Sequence, residues 1–539
     1  MKDISSTGSF INFYLNNYIY VDKTKYIRDL IKLERVFISR PRRFGKSLTL
    51  DTIATLFETG VEPYFKGTWI YDKWTEPTYP VLRLNFLDLD KYSLEHFKQK
   101  LNAIISSFAR DINVKNYEEK VEPEDTIYFL LDELRKEKRQ IVILIDEYDC
   151  QMTANINNET LYKQFQEKIT SFYANLKDKL AIKFLGITGV TRLKDVEIFS
   201  IGSDIRDITN ASAYSQMIGF TRDEIKKYYI DYLKLAASYE NNCAVDEITD
   251  DKLESMFDKL EEQYGGYCFD EDYEKKVFNT WSVNDFFQSV VSNKFVYFGE
   301  YWYDNGGVPK ILSDFVKNNE QELFDCILKG KFISVPTSDL KFPPSLISIN
   351  PKVLMCQTGY LTLCSNLKYF EMLLGVPNSE IYKALSRLLA NNIFKGNTDI
   401  TDDYGRSLLE VGTVDDIINL FNSALNSVSY DNYPIVSESS VQNMLKLYLL
   451  GAHQKVLSEV HEAKGRADLV VNTDNRRIVF EFKYAKNETE AKSKLLDAVE
   501  QIKTRDYGNI VPKKTELLRI ATVFNADPKV RAFTEFQLV

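Results

Sequence analysis

Two short stretches of this 539-residue chain carry side chains suited to work on phosphate. The first is Arg40-Pro41-Arg42-Arg43-Phe44-Gly45-Lys46-Ser47. It lies between an apolar run, Val36-Phe37-Ile38-Ser39, and a segment of helical spacing (Leu48, Leu50, Ile53, Leu56, Phe57). Strand, tight loop and helix N-terminus together bind anions, because main-chain N–H groups and the helix dipole face the same point. Gly45 would let the backbone approach a nucleotide, Lys46 would reach its β- and γ-phosphates, and Ser47 would ligate Mg²⁺. The main chain from Arg43 and Phe44 through Leu48 would line the phosphates. Arg40 stands where the GxxxxGK[ST] pattern has its first glycine, so the octet alone also suits a basic surface loop. The apolar run Ile141–Ile145, closed by Asp146-Glu147, supplies a second signal. Asp146 would hold Mg²⁺ through water, and Glu147 would polarise the attacking water. Acidic residues after a buried strand also serve as caps, but this pair follows the loop by about 100 residues with one strand between. Thr188 ends a further strand and suits a γ-phosphate sensor, or equally a strand-end hydroxyl. Arg192 and Arg206 follow it and could offset transition-state charge.

The second stretch is Gly465-Arg466-Ala467-Asp468-Leu469-Val470-Val471, a turn at Asn472–Asn475, and Arg477-Ile478-Val479-Phe480-Glu481-Phe482-Lys483-Tyr484. A hairpin centred on Asp474-Asn475 puts Asp468 opposite Glu481, with Cβ atoms roughly 4.5–5.5 Å apart. Lys483 shares that face, and Leu469, Phe480 and Phe482 take the other. Two carboxylates are hard donors for Mg²⁺ or Mn²⁺, and the carbonyl of Phe482 would be a third ligand. Such an ion activates water and offsets phosphate charge, while Lys483 positions that water. A cross-strand ion pair on a solvated sheet would use the same residues.

The elements that must hold these groups read as strands 36–39, 81–86, 141–145 and 183–188, alternating with helices 47–58, 93–111, 123–137 and 159–178. Alternation predicts a parallel, helix-covered sheet. Residues 222–330 read as mostly helical and rich in Tyr and Phe, 336–350 as a connector, and 376–430 as helical again. A helix from about 438 leads into the second stretch. The expected architecture is α/β: a P-loop ATPase core over 1–220, a helical lid or connector over 221–370, and an α/β nuclease-like domain over 371–539.

Composition excludes little but orders the classes. With 44% hydrophobic and 27% charged residues, the chain reads as globular rather than disordered. The N-terminal sequence lacks a secretory pattern, and no apolar run reaches the roughly 20 residues a bilayer demands. Six cysteines without a CxxC pair, and three His, argue against zinc and disulfide frameworks and for reduced thiols in a cytoplasmic protein. Net charge is −10. Residues 451–539 hold 16 Lys+Arg and 13 Asp+Glu, a net of +3, which leaves 52 and 65, or −13, for residues 1–450. A polyanion is better met by the C-terminal part.

Tyr20-Val21-Asp22-Lys23-Thr24, the Arg40–Leu48 loop, Leu144-Ile145-Asp146-Glu147-Tyr148-Asp149 and Ile187-Thr188-Gly189-Val190-Thr191-Arg192 together resemble the predicted AAA-ATPase-like family of bacteria. That family's loop reads RPRRFGKS, so Arg40 is its habit. Phe199-Ser200, Asp207-Ile208-Thr209 and Asn279-Thr280-Trp281-Ser282 continue the likeness. Gly265-Gly266-Tyr267 departs from the family's Asp-Gly-Tyr. The Asp468, Glu481 and Lys483 set resembles the PD-(D/E)XK nuclease superfamily, in the form fused to that ATPase family. The resemblance implies that Gln501, on the helix carrying Ala498-Val499-Glu500-Gln501-Ile502, faces the site. Glu438 or Glu459 could add a carboxylate, although a cap or surface role suits both.

The expected function is ATP binding and hydrolysis with Mg²⁺, coupled to metal-dependent phosphodiester hydrolysis of nucleic acid, DNA before RNA. The expected partners are ATP and nucleic acid, with no membrane and with a homo-oligomer in view. A second reading is a nucleotide-sensing switch whose C-terminal domain binds DNA or a partner without cleaving. A third is an effector acting on RNA or nucleotides.

Overall fold

The computed structural model describes all residues except 178–179, 194–203, 305–314, 342, 368–369, 395–402, 453, 463–464, 474 and 508–515. Phe199-Ser200 and Asp474 therefore lie outside the described residues, as does the side chain of Glu459. The chain divides into two compact units, residues 1–307 with 332–380, and residues 308–331 with 381–539.

The first unit is built on strands β1 (Arg35–Ser39), β2 (Val81–Asn85), β3 (Ile141–Asp146), β4 (Ile182–Gly189) and β5 (Arg206–Asp207). They form one parallel sheet in the order β2-β3-β4-β1-β5. Every residue of β1 and β3 is buried, as expected of strands covered by helices on both faces. The loop after β1 runs into the helix Lys46–Thr59. A parallel sheet sends all its strand ends one way, so the ends of β1, β3 and β4, which are neighbours, reach one edge together.

Residues 222–293 do not form a separate middle segment as the sequence suggested. Their helices Arg222–Tyr228, Ile230–Asn241, Asp250–Tyr264 and Thr280–Asn293 share one apolar cluster with Ile4, Ile19 and Val21. These helices bury most of that cluster against one another and close it with Ile4, Ile19 and Val21 of the N-terminal segment, and they belong to the first unit. Short pairs β6 (Tyr267–Cys268) with β7 (Lys276–Val277), and a sheet of β8 (Ile333–Pro336), β9 (Thr362–Leu367) and β10 (Glu371–Gly375), complete it. The expected connector 336–350 thus begins in a strand and continues in the helix Thr337–Lys341.

The second unit holds the sheet β11 (Lys455–Glu462), β12 (Gly465–Asn472), β13 (Arg476–Ala485), β14 (Glu516–Asn525) and β15 (Ala532–Leu538), in that order. Only β13 and β14 are parallel, and the helix Glu488–Arg505 makes their crossover. That helix lays Ala498, Val499 and Ile502 on Val470, Val479 and Ala521. The helix Val414–Asn426 covers the opposite face, with Phe421 against Phe480 at 5.3 Å. Among the described residues no helix is long and apolar enough to cross a membrane.

Candidate functional site

At the strand ends of the first unit, Gly45 takes φ +103°, a conformation that side chains rarely permit, and there the chain turns into its helix. Lys46 is buried: its Nζ donates to the carbonyls of Arg40 (3.1 Å) and Pro41 (3.2 Å) and lies 3.5 Å from Glu147 Oε1. Ser47 Oγ donates to Asp146 Oδ2 at 2.5 Å, and Thr188 Oγ1 donates to the other oxygen, Oδ1. β3 places Asp146 beside the end of β4, which explains why a hydroxyl 42 residues further on reaches it. Burial raises the Glu147 carboxyl above its ordinary pKa, and Lys46 opposes that shift. A cavity of about 330 Å³ opens here, lined by Arg43 through Thr49, Glu147, Val21, Phe220 and Trp281 among others. A hydroxyl and a carboxylate at hydrogen-bond distance are hard donors that fit Mg²⁺.

In the second unit, the β12–β13 register pairs Leu469 with Phe480, Val470 with Val479 and Val471 with Ile478. Extrapolation sets Asp468 against Glu481, as the hairpin arithmetic requires, but the pairing stops at Leu469. Beyond it the Asp468 carboxylate takes over as acceptor, receiving the main-chain N–H of Phe482 at 2.9 Å. Glu481 is fully buried; its Oε1 receives Lys483 Nζ at 2.8 Å, while Oε2 has no hydrogen-bond partner among the described residues. Burial first, and the Asp468 charge second, push the Glu481 carboxyl up to about 7. A buried carboxylate oxygen left bare beside a second carboxylate fits a hard divalent cation, which would supply the missing positive charge.

Residues 5–199 match the family model described as a predicted AAA-ATPase, and residues 436–533 match the one described as the PD-(D/E)XK nuclease superfamily. The chain joins an AAA-ATPase-like segment to a PD-(D/E)XK nuclease-like one. A curated relative from Azotobacter chroococcum mcd 1, an uncharacterized protein in the vnfD 5′ region, is 25% identical and covers 95% of this chain and 94% of its own length. Two solved structures share 12% and 10% identity: Cdc6p from Pyrobaculum aerophilum, and the Aeropyrum pernix Orc1 protein in complex with DNA. They cover 68% and 71% of this chain and 92% and 96% of theirs, with TM-scores of 0.25 and 0.27.

Of the residues expected at these centres, Arg192 stands apart. In the ATPase-like segment, Arg192 is ion-paired to Asp207 and lines a different, smaller cavity with Arg40 and Thr209. The loop after β4 carries it there, away from the cavity that Lys46 lines. The side chain of Phe44 is buried against Tyr267 and Phe269, which leaves only its main chain for a ligand. Leu48 lines the Lys46 cavity. In the nuclease-like segment, Gln501 donates to the Tyr507 hydroxyl at 3.3 Å, and Phe482 turns its ring to the opposite face, stacked on Phe480.

Asp149 and Gln442 were given no role from the sequence. Asp149 is buried and accepts from the main-chain N–H and hydroxyl of Thr191, so it ties the β3 end to the β4 end. Gln442 donates to the main-chain carbonyl of Asp468, and Glu438, one helical turn earlier, lies 3.5 Å from Lys483. Glu438 is thus neither the cap, which is Ser437, nor an isolated surface group. The four-residue spacing of Glu438 and Gln442 placed both on one helix face and was the available signal. Gly266, in the departing Gly-Gly-Tyr, takes φ +82°, and a Cβ there would stand 2.0 Å from the Pro377 carbonyl oxygen. The second glycine meets a packing demand, and Tyr267 packs on Phe44.

Proposed function

We propose that the chain binds and hydrolyses ATP at the Lys46 cavity and cleaves nucleic acid, DNA before RNA, at the Asp468–Glu481–Lys483 cluster. The observation that carries the first half is the convergence of Lys46, Ser47, Asp146, Glu147 and Thr188 on three neighbouring strand ends. Main-chain N–H groups of residues 43–48 receive the phosphates, and Lys46 leaves Glu147 for the γ-phosphate. That exchange frees Glu147 to orient the attacking water. Ser47 and Asp146 would hold Mg²⁺, which screens phosphate charge. Arg192 serves the nucleotide only by leaving Asp207.

At the second centre Asp468, Glu481 and the Phe482 carbonyl would hold Mg²⁺ or Mn²⁺, which supplies an activated water and charge neutralisation. Lys483 orients that water, and Gln501 would join it by leaving the Tyr507 hydroxyl. ATP turnover by wild type, Lys46→Ala and Glu147→Gln tests the first half. Lys46→Ala is expected to lose ATP binding, and Glu147→Gln to bind ATP without turnover; normal hydrolysis by both would refute the assignment. A chain that turns over ATP yet leaves DNA and RNA intact with Mn²⁺ would be the non-cleaving switch.

A further inference from the structure

Four consecutive carbonyls of the phosphate loop have donors, and two of those donors lie outside the loop. Lys46 Nζ serves the carbonyls of Arg40 and Pro41. Trp302 Nε1 donates to the Arg42 carbonyl at 3.0 Å, and Thr280 Oγ1 donates to the Arg43 carbonyl at 3.0 Å. In a planar trans peptide the C=O of one residue and the N–H of the next point in opposite directions. Holding the carbonyls of Arg42 and Arg43 therefore aims the N–H groups of Arg43 and Phe44 away from Trp302 and Thr280. Arg43 and Phe44 both line the Lys46 cavity, and Thr280 stands on its wall beside them, whereas Trp302 is not among its lining residues.

The loop side chains are held from the same part of the chain. The Arg43 guanidinium lies 4.3 Å over the Trp281 ring, and that of Arg40 lies 4.3 Å over Phe269. Arg40 also donates to the carbonyls of Ser39 (2.8 Å) and Thr209 (2.6 Å), so the residue in the first-glycine position bolts the loop to the sheet. Trp302 is itself anchored, its main-chain N–H donating to the buried Glu380 carboxylate at 2.7 Å.

We infer that Trp302 and Thr280 are positioning residues of the phosphate loop, acting through the Arg42 and Arg43 carbonyls to aim the amides that receive the nucleotide's phosphates. This rests on the nucleotide reading above. Loss of either donor leaves a carbonyl unsatisfied and lowers the population of the binding-competent loop, which weakens ligands in proportion to their use of it. Affinity for ATP and for adenosine, measured by titration calorimetry, separates this role from general destabilisation. Trp302→Phe and Thr280→Val are each expected to weaken ATP roughly tenfold. Adenosine, which has no phosphate, is expected to stay within about twofold of wild type, and Thr280→Ser to recover ATP affinity. Unchanged ATP affinity in both variants, or an equal loss for both ligands, overturns the inference. A wild-type chain that binds no ATP removes the nucleotide reading instead.

Discussion

In the first unit a buried cation, Lys46, is surrounded by carbonyl oxygens and one carboxylate, and the Asp146 carboxylate accepts hydroxyls at both oxygens. In the second a buried carboxylate, Glu481, has one oxygen on Lys483 and the other without a hydrogen-bond partner among the described residues, with a second carboxylate nearby. One centre has each of these groups hydrogen-bonded or ion-paired as it stands and would exchange partners to admit an anion. The other has one carboxylate oxygen without a hydrogen-bond partner among the described residues and would take a cation there. The difference follows from the scaffolds. A parallel sheet delivers strand ends and a helix N-terminus to one place, which favours anions. A hairpin whose pairing stops early leaves side-chain oxygens to fill the gap.

The contrast breaks first at Glu147. If its ion pair with Lys46 is a resting arrangement released by phosphate, Glu147→Gln should lower turnover about 100-fold or more while ATP binding persists. Stopped-flow phosphate release and nucleotide titration check this. Thr188→Ala removes one donor to a charged acceptor and should cost roughly tenfold in turnover.

The second centre is sharpened by pH. With divalent ions chelated, Glu481 binds its proton more tightly folded (about 7) than unfolded (4.5). Its contribution to stability is therefore full below the unfolded value and is lost as pH rises through about 7. Thermal melting in chelator should show stability falling over that window, with Glu481→Gln flattening the profile. An equal slope in Glu481→Gln would show that the bare oxygen is compensated. Smallest of all, Glu438→Ala removes a half-exposed carboxylate 3.5 Å from Lys483 and should change metal-dependent cleavage by about twofold to threefold.

Periodicity made β1, β3 and the helices around them legible, because continuous apolar runs and 3.6-residue spacing record burial directly. The hairpin register was legible for the same reason: a turn centre fixes every pair. What the sequence hid were contacts set by packing between distant segments. Arg192 reads as a group able to offset transition-state charge, and β5 brings Asp207 beside it. Nothing in the sequence marks Trp302, whose indole N–H meets a loop 260 residues away. The helices 222–293 read as a separate lid because no periodicity records which apolar face they share with Ile4 and Ile19.

The most direct measurement is nicking of supercoiled plasmid DNA with Mn²⁺ by wild type and Asp468→Ala, each assayed in parallel for ATP turnover. Wild type is expected to nick and to hydrolyse ATP, whereas Asp468→Ala loses nicking and keeps turnover. Equal nicking by the two proteins, or loss of both activities in a folded Asp468→Ala chain, would contradict it.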